Sequence, residues 1–146
     1  MSLENWLKNN WLHRHRTTRA QIAELFGIVD RDLEDAQTER LSPDWQFGIA
    51  YNAALKLCTI LLYAEGYRPA QNLAHYRTLQ ALPLILGATR QGDADYLETC
   101  RGKRNTAEYD SAGRTSPEEV AELVAFSKEL RKRVKEWLAQ NHANLL

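Results

Sequence analysis

The chain has 146 residues, of which 44% are hydrophobic and 26% charged, with 19 basic residues balanced by 19 acidic ones. This composition is typical of a globular domain and excludes general disorder, and the zero formal charge excludes a strong overall attraction to nucleic acid or membranes. The two cysteines lack a metal-binding spacing, and no signal-peptide or membrane-span pattern is present. We therefore expect one soluble, cytoplasmic domain over 1–146, with its core at about 18–138.

Helical periodicity begins near the start of the chain. Trp6, Leu7 and Trp11 predict a short helix that packs through its aromatic side chains. A stronger helix follows Thr17 or Thr18, either of which can cap it. Apolar residues then recur at steps of three and four, which is the period of an amphipathic helix: Ile22, Leu25, Phe26, Val29 and Leu33.

The next helix has the clearest apolar stripe. Ser42 is a natural N-cap, Pro43 suits the first helical position, and Asp44 favours the positive end of the helix dipole. Few polar residues interrupt the run before Gly66, which is expected to end the helix. We therefore expect this segment to be the central helix of the core, through a stripe of Phe47, Ala50, Tyr51, Ala54, Leu57, Cys58, Leu61 and Leu62.

Three further helices complete the prediction. One follows the "YRP" segment, with Pro83 expected to kink or end it. Another runs from about Gln91 to Tyr109, and the last begins at Ser116 with Pro117 at its first position. No segment alternates with a period of two for long enough to predict a strand. The predicted fold class is all-α, a bundle of four to five helices.

Familiar catalytic motifs are missing from the sequence. It has no Gly-rich phosphate loop, no paired cysteine motif, no H-E-x-x-H and no nucleophile elbow. His13 and His15 are two residues apart, so on a helix they would point away from each other. We therefore predict neither a metal site nor a cofactor.

The stretch "RGKRNTAEYD" at 101–110 carries the main candidate site. Arg101, Asn105 and Tyr109 are spaced i, i+4 and i+8, so on a helix they share a face, with Arg104 on its shoulder. An arginine fork binds a phosphate bidentately, an amide can orient it, and a tyrosine offers a ring for stacking. This pattern predicts a phosphate-binding face.

A structural role remains open for these residues as the alternative to a binding role. The arginines can instead form ion pairs with Glu98, Glu108 or a neighbouring helix, while Tyr109 covers the edge of the core. His75, which follows the "YRP" segment, is a further candidate, with a partly buried, backbone-bonded histidine as its alternative. Tyr67 is a weaker candidate for the same nucleotide or RNA site.

The order of these elements resembles the HEPN superfamily. An acidic "DLEDA" helix precedes the run "SPDWQFGIAYNAALKLCTILLYAEGYRP", then a histidine, then a late helix that carries "RN" and an aromatic residue four positions beyond the asparagine. The resemblance covers about residues 18 to 138. It implies an up-and-down helical bundle that forms a homodimer, with the polar motif near the dimer interface.

The same resemblance implies a function. Many HEPN proteins resemble metal-independent ribonucleases, often toxins paired with a minimal nucleotidyltransferase antitoxin, and their motif is an arginine, a polar residue and a histidine. Carried over to this sequence, the arginine is Arg104 and the polar residue is Asn105. Tyr109 occupies the position expected for the histidine.

That tyrosine weakens the expectation of catalysis. A histidine with a pKa near ~6.5 exchanges protons at neutral pH, whereas a tyrosine with a pKa near ~10 is almost wholly protonated there, a difference of roughly 4 kcal/mol. Binding survives the substitution better than catalysis. The leading hypothesis is therefore an RNA- or nucleotide-binding protein without a membrane partner, and the resemblance implies a toxin–antitoxin or defence module as its setting. An active ribonuclease that uses Arg104, Asn105 and Tyr109 is the alternative, and a non-catalytic dimeric interaction module is the second alternative.

Overall fold

The computed structural model describes residues 2–109 and 113–146, without the side chains of residues 107–109. Within these ranges the chain is all-α, as predicted, and contains one small two-stranded sheet. Within the described part of the chain, five long helices match the predicted bundle, and the predicted short N-terminal helix precedes them. The helices are α1 (Leu3–Lys8), α2 (Arg19–Asp35), α3 (Pro43–Ala64), α4 (Ala74–Leu86), α5 (Gln91–Tyr109) and α6 (Pro117–Asn141), and the strands are β1 (Leu12–Arg14) and β2 (Tyr67–Pro69).

Side-chain caps fix where three of the long helices begin. The Thr18 hydroxyl accepts a hydrogen bond from the backbone N–H of Gln21, whose side chain returns to the Thr18 N–H. Ser116 and Glu119 form the same reciprocal arrangement at the start of α6. Ser42 caps α3 through its hydroxyl. These caps satisfy N–H groups that a helix leaves unpaired at its first turn, which confirms the predicted starts.

The core is built around α3, which packs against α2, α4, α5 and α6. Pro43–Ala64 is long and apolar enough to cross a membrane, but 67% of its most apolar stretch is buried inside the bundle. That burial is the pattern of a core helix, as predicted from its broad apolar stripe. Gly66, with a φ of 89°, follows the helix end in a conformation that glycine adopts without strain.

The sheet is a feature that the sequence pattern did not predict. β1 and β2 pair antiparallel, with Leu12 opposite Pro69 and Arg14 opposite Tyr67. Each strand has three residues, which is too short for an alternating pattern to be recognised. The pair covers a second small core, separate from the main one, formed by Trp6, Leu12, Leu62 and Ala81.

One carboxylate ties the segment before α6 to the start of α3. Asp44 Oδ2 accepts a hydrogen bond from the Gly113 N–H at 2.6 Å, and Oδ1 accepts one from the Thr115 N–H at 3.2 Å. The Gly113 bond is the main reason why the pKa of Asp44 is lowered. Lys103 on α5 forms an ion pair with Glu119 on α6, which holds the two helices together near the candidate motif.

Candidate functional site

The motif residues lie where predicted, on the second half of α5. Arg101, Arg104 and Asn105 are half-buried, and Asn105 Oδ1 accepts a long hydrogen bond of 3.4 Å from Arg104 Nη1. The side chain of Tyr109 lies outside the described residues, so its predicted role stays a prediction. The helix thus presents two arginines about one turn apart, with an amide next to the second.

Arg101 forms the ion pair that the structural interpretation of this motif predicts. Its Nε donates to both carboxylate oxygens of Glu98, at 3.2 and 3.0 Å, and its Nη2 donates to Oε1 at 2.5 Å. This hydrogen bonding to Glu98 is the main cause of the raised pKa of Arg101. Nη1 has no partner among the described side chains, so Arg101 keeps donors for a further acceptor.

Arg104 lies against a buried tyrosine of the core helix. Its guanidinium carbon is 5.6 Å from the ring centroid of Tyr51, within the range of a cation–π contact. Tyr51 is 1% exposed, and its hydroxyl has no hydrogen-bond partner among the described residues. Burial raises the pKa of this phenol, while the charges of Arg101 and Arg104 act in the opposite direction. A buried hydroxyl without a partner is uncommon and marks a place where a ligand could supply one.

His75 adds a third helix, α4, to the candidate site. It lies in the first turn of α4 and is exposed, with no hydrogen-bond partner among the described side chains, so the backbone-bonded alternative for this histidine is not observed. Neighbouring atoms that displace water from one side of its ring lower its pKa most, and the positive charges of Arg104, Lys56 and Arg101 lower it further. Three cations from α3 and α5 therefore act on one imidazole at the start of α4.

The start of α4 adds to this positive field. The residue before the helix, Leu73, has a φ of 57° and provides no side-chain hydrogen bond to the first turn. The first N–H groups of α4 consequently lack a side-chain cap, and they carry the positive end of the helix dipole. We name the group of Tyr51, Lys56, His75, Arg101 and Arg104 the cationic cluster.

Two members of the cationic cluster were missed as site residues from the sequence. Lys56 is the one charged residue between Asp44 and Glu65, and it forms no ion pair among the described residues. A lone lysine in an otherwise apolar helix is a signal that could have identified it. Tyr51 was predicted to be a core residue, which it is, and no sequence signal distinguishes its hydroxyl from that of any other buried tyrosine.

Tyr67 is not part of the cationic cluster. It lies in β2 opposite Arg14 and packs on the second small core. No contact among the described side chains joins it to Arg101, Arg104 or His75. The structure therefore does not bring this candidate to the site.

The cationic cluster is chemically suited to an anion. It combines the positive charges of Lys56, Arg101 and Arg104 with a helix N-terminus, and within the described part of the chain Arg101 pairs with the carboxylate of Glu98. Among the described residues no group of three His, Cys, Asp or Glu side chains is placed to hold a metal ion. No protein-family model, no curated protein and no solved structure matches this chain.

Proposed function

We propose that this chain is a HEPN-like helical protein that binds RNA or a nucleotide by holding a phosphate in the cationic cluster. The observation that carries the proposal is the placement of Arg101, Arg104 and Asn105 together on α5, with the guanidinium carbon of Arg104 5.6 Å from the ring of Tyr51 on α3. Such a local patch is what a chain of zero net charge needs in order to bind a polyanion.

Arg101 keeps a hydrogen-bond donor that a phosphate oxygen can accept from. Glu98 occupies Nε and Nη2 of Arg101, which leaves Nη1 for a phosphate oxygen. The face of Arg104 rests on Tyr51 and its Nη1 donates to Asn105 Oδ1, so this arginine supports the proposal through its positive charge. Each charge-assisted hydrogen bond of this type contributes roughly 1.5–3 kcal/mol.

The resemblance to HEPN proteins extends the proposal to partners and cellular role. A homodimer would place two cationic clusters in one assembly and double the positive charge available to an RNA strand. A nucleotidyltransferase-type antitoxin and a cytoplasmic toxin–antitoxin or defence module belong to the same proposal. A nucleotidyltransferase encoded beside this gene would support that part.

A double variant tests the binding proposal. Arg101→Gln with Arg104→Gln removes two charges from the cationic cluster, and we expect at least a hundredfold loss of affinity for a fluorescent 12-nucleotide RNA in EDTA, on the order of 3 kcal/mol. The control is Lys132→Gln with Lys135→Gln, which removes two charges from exposed positions on α6. An equal loss in both double variants would show nonspecific attraction and would contradict a defined site.

His75 favours a second candidate function, a metal-independent endoribonuclease. Because its pKa lies below 6.5, the imidazole is neutral at pH 7 and can accept a proton, which Tyr109 cannot do readily. His75 would take the proton of an RNA 2′-hydroxyl as the O2′–P bond forms. The P–O5′ bond then breaks, and the 5′-oxygen takes a proton from water, while Arg104 stabilises the charge on the phosphorane. The products are a 2′,3′-cyclic phosphate and a 5′-hydroxyl.

Cleavage assays with chelator distinguish this second function from binding alone. The wild type is expected to cut RNA in EDTA, and His75→Gln is expected to bind RNA with little change in affinity but to lose cleavage. RNA with a 2′-deoxyribose at the cleaved position should resist. Cleavage that persists in both His75→Gln and Arg104→Ala would show that the activity comes from a contaminant or from another site.

A further inference from the structure

A cavity is lined in part by Tyr76 and Arg77, which follow His75 in the first turn of α4. Its volume is about 420 Å³, within the range of small-ligand sites. Its walls come from the N-terminal segment, α4 and the start of α5. The residues of its wall that matter for recognition are Trp6, Trp11, Tyr76, Arg77, Gln80 and Gln91.

The wall of the cavity offers flat surfaces. Trp6 and Trp11 meet edge to face, with ring centroids 6.2 Å apart. The guanidinium of Arg77 lies over the ring of Trp11 at 4.3 Å, and the ring of Tyr76 is 41% exposed. Unpaired bases of RNA are bound in this way, by stacking on aromatic rings and on guanidinium planes.

Two amides provide polar groups beside these surfaces. Gln91 Nε2 donates to Asp95 at 3.0 Å and lies 3.5 Å from Gln80 Oε1, a contact too long to be strong. Both side chains therefore retain hydrogen-bonding capacity at the cavity wall. An amide can donate to and accept from the edge of a base.

Tyr76 connects the cavity to the cationic cluster. It directly follows His75 in the first turn of α4, and its ring lines the cavity. The helix that carries it packs directly against α5, which carries Arg101. A positive surface that holds the backbone, next to aromatic rings that stack bases, is the usual arrangement in proteins that bind single strands.

We propose that this cavity receives one nucleobase of the RNA or nucleotide whose phosphate is held by Arg101 and Arg104, with the base stacked on Tyr76. The proposal rests on the proposed function, because the phosphate site fixes where the base must lie. The shared chemistry is a nucleobase, and its source is either a single-stranded RNA or a free nucleotide.

The test compares two fluorescent probes of equal length, an 8-nucleotide oligouridylate and a ribose-phosphate chain without bases. The wild-type protein is expected to bind the base-bearing probe at least fivefold more tightly, since stacking strengthens binding of each base. Tyr76→Ala should remove this preference and leave binding of the abasic probe unchanged. Tyr76→Phe, which keeps the ring, should behave as the wild type, and so should Trp45→Ala, which removes an exposed aromatic residue outside the cavity.

The outcomes separate the two proposals. Equal binding of both probes by the wild type, or a preference that survives in Tyr76→Ala, would overturn the nucleobase proposal and leave the phosphate site intact. Failure of both probes to bind, or binding unaffected by Arg104→Gln, would overturn the proposed function itself. Uridine monophosphate that competes with the oligouridylate at similar affinity would identify a free nucleotide as the occupant. A mononucleotide that does not compete would identify a base within RNA.

Discussion

Replacing Arg104 by glutamine separates a binding role of this arginine from a structural one. The substitution removes the positive charge above Tyr51 and keeps most of the side-chain length. If the guanidinium holds one phosphate, its loss costs roughly 1.5–3 kcal/mol of binding free energy, or about a 10- to 150-fold loss of affinity. One phosphate contact fewer should also reduce the slope of log affinity against log salt by about 0.7 for a single strand.

Fluorescence anisotropy with a labelled 12-nucleotide RNA in EDTA, measured at several salt concentrations, gives both quantities. Arg131→Gln is the matched control, because Arg131 lies over the ring of Phe26 at 5.2 Å and bonds to Asp30 at 2.6 Å, far from the motif along the chain. Both variants lose a cation–π contact of about 0.5–2 kcal/mol, so both should melt a few degrees lower. Only Arg104→Gln should weaken RNA binding.

The opposite result would support the interaction-module hypothesis. In that case neither the wild type nor any variant binds RNA, and Arg104→Gln lowers the melting temperature by more than Arg131→Gln does. An affinity equal to that of the wild type, with an unchanged salt slope, would refute the assignment of Arg104 to a phosphate.

Three further predictions concern the surroundings of the site. Tyr51→Phe should leave the thermal stability equal or higher, because the hydroxyl has no partner among the described residues. The same variant should bind RNA more weakly if a ligand forms a hydrogen bond with that hydroxyl. Equal binding in an anisotropy titration would count against such a contact. Asn52→Ala removes the 2.7 Å hydrogen bond to the buried carboxylate of Asp32, and it should lower the free energy of unfolding in urea by about 2 kcal/mol. A decrease below roughly 0.5 kcal/mol would show that this hydrogen bond does not stabilise the fold. Asp44→Asn should lower the melting temperature at pH 7. Folding lowers the pKa of Asp44 from 3.8, so its carboxylate contributes its full stability above that pH and loses it as the pH falls through the folded-state pKa. The difference in melting temperature between wild type and variant should therefore narrow in acid. A difference that does not narrow would argue against the two hydrogen bonds to 113–115.

The helices were predictable because their signals are local. Ser42 and Ser116 sit where the caps are needed, and the apolar period of 3.6 identifies the buried faces without knowledge of the tertiary structure. The β1–β2 pair joins residues near opposite ends of the first half of the chain, such as Leu12 and Pro69. Such a pairing depends on how the helices pack, so no pattern within either segment reveals it.

The candidate site was likewise predictable from the sequence only in part. The helical spacing of Arg101, Arg104 and Asn105 follows from sequence alone, because all three lie on one helix. The position of His75 beside the arginines depends on how α4 packs against α5, and the position of Lys56 depends on α3. Tertiary packing also decides that Tyr67 lies elsewhere. Sequence spacing therefore predicts a face of a helix, and only the packed bundle assembles a site from three helices.

The pKa of His75 tests the central claim most directly. Proton and nitrogen NMR of the imidazole, assigned with a His75→Gln variant, measures this pKa in the free protein and with a saturating 12-nucleotide RNA. The cationic cluster predicts a value below 6.5 in the free protein and a rise when RNA binds, because a phosphate next to the imidazole favours its protonated form. A value at or above 6.5 in the free protein, or one that RNA leaves unchanged, would contradict a phosphate site at the start of α4.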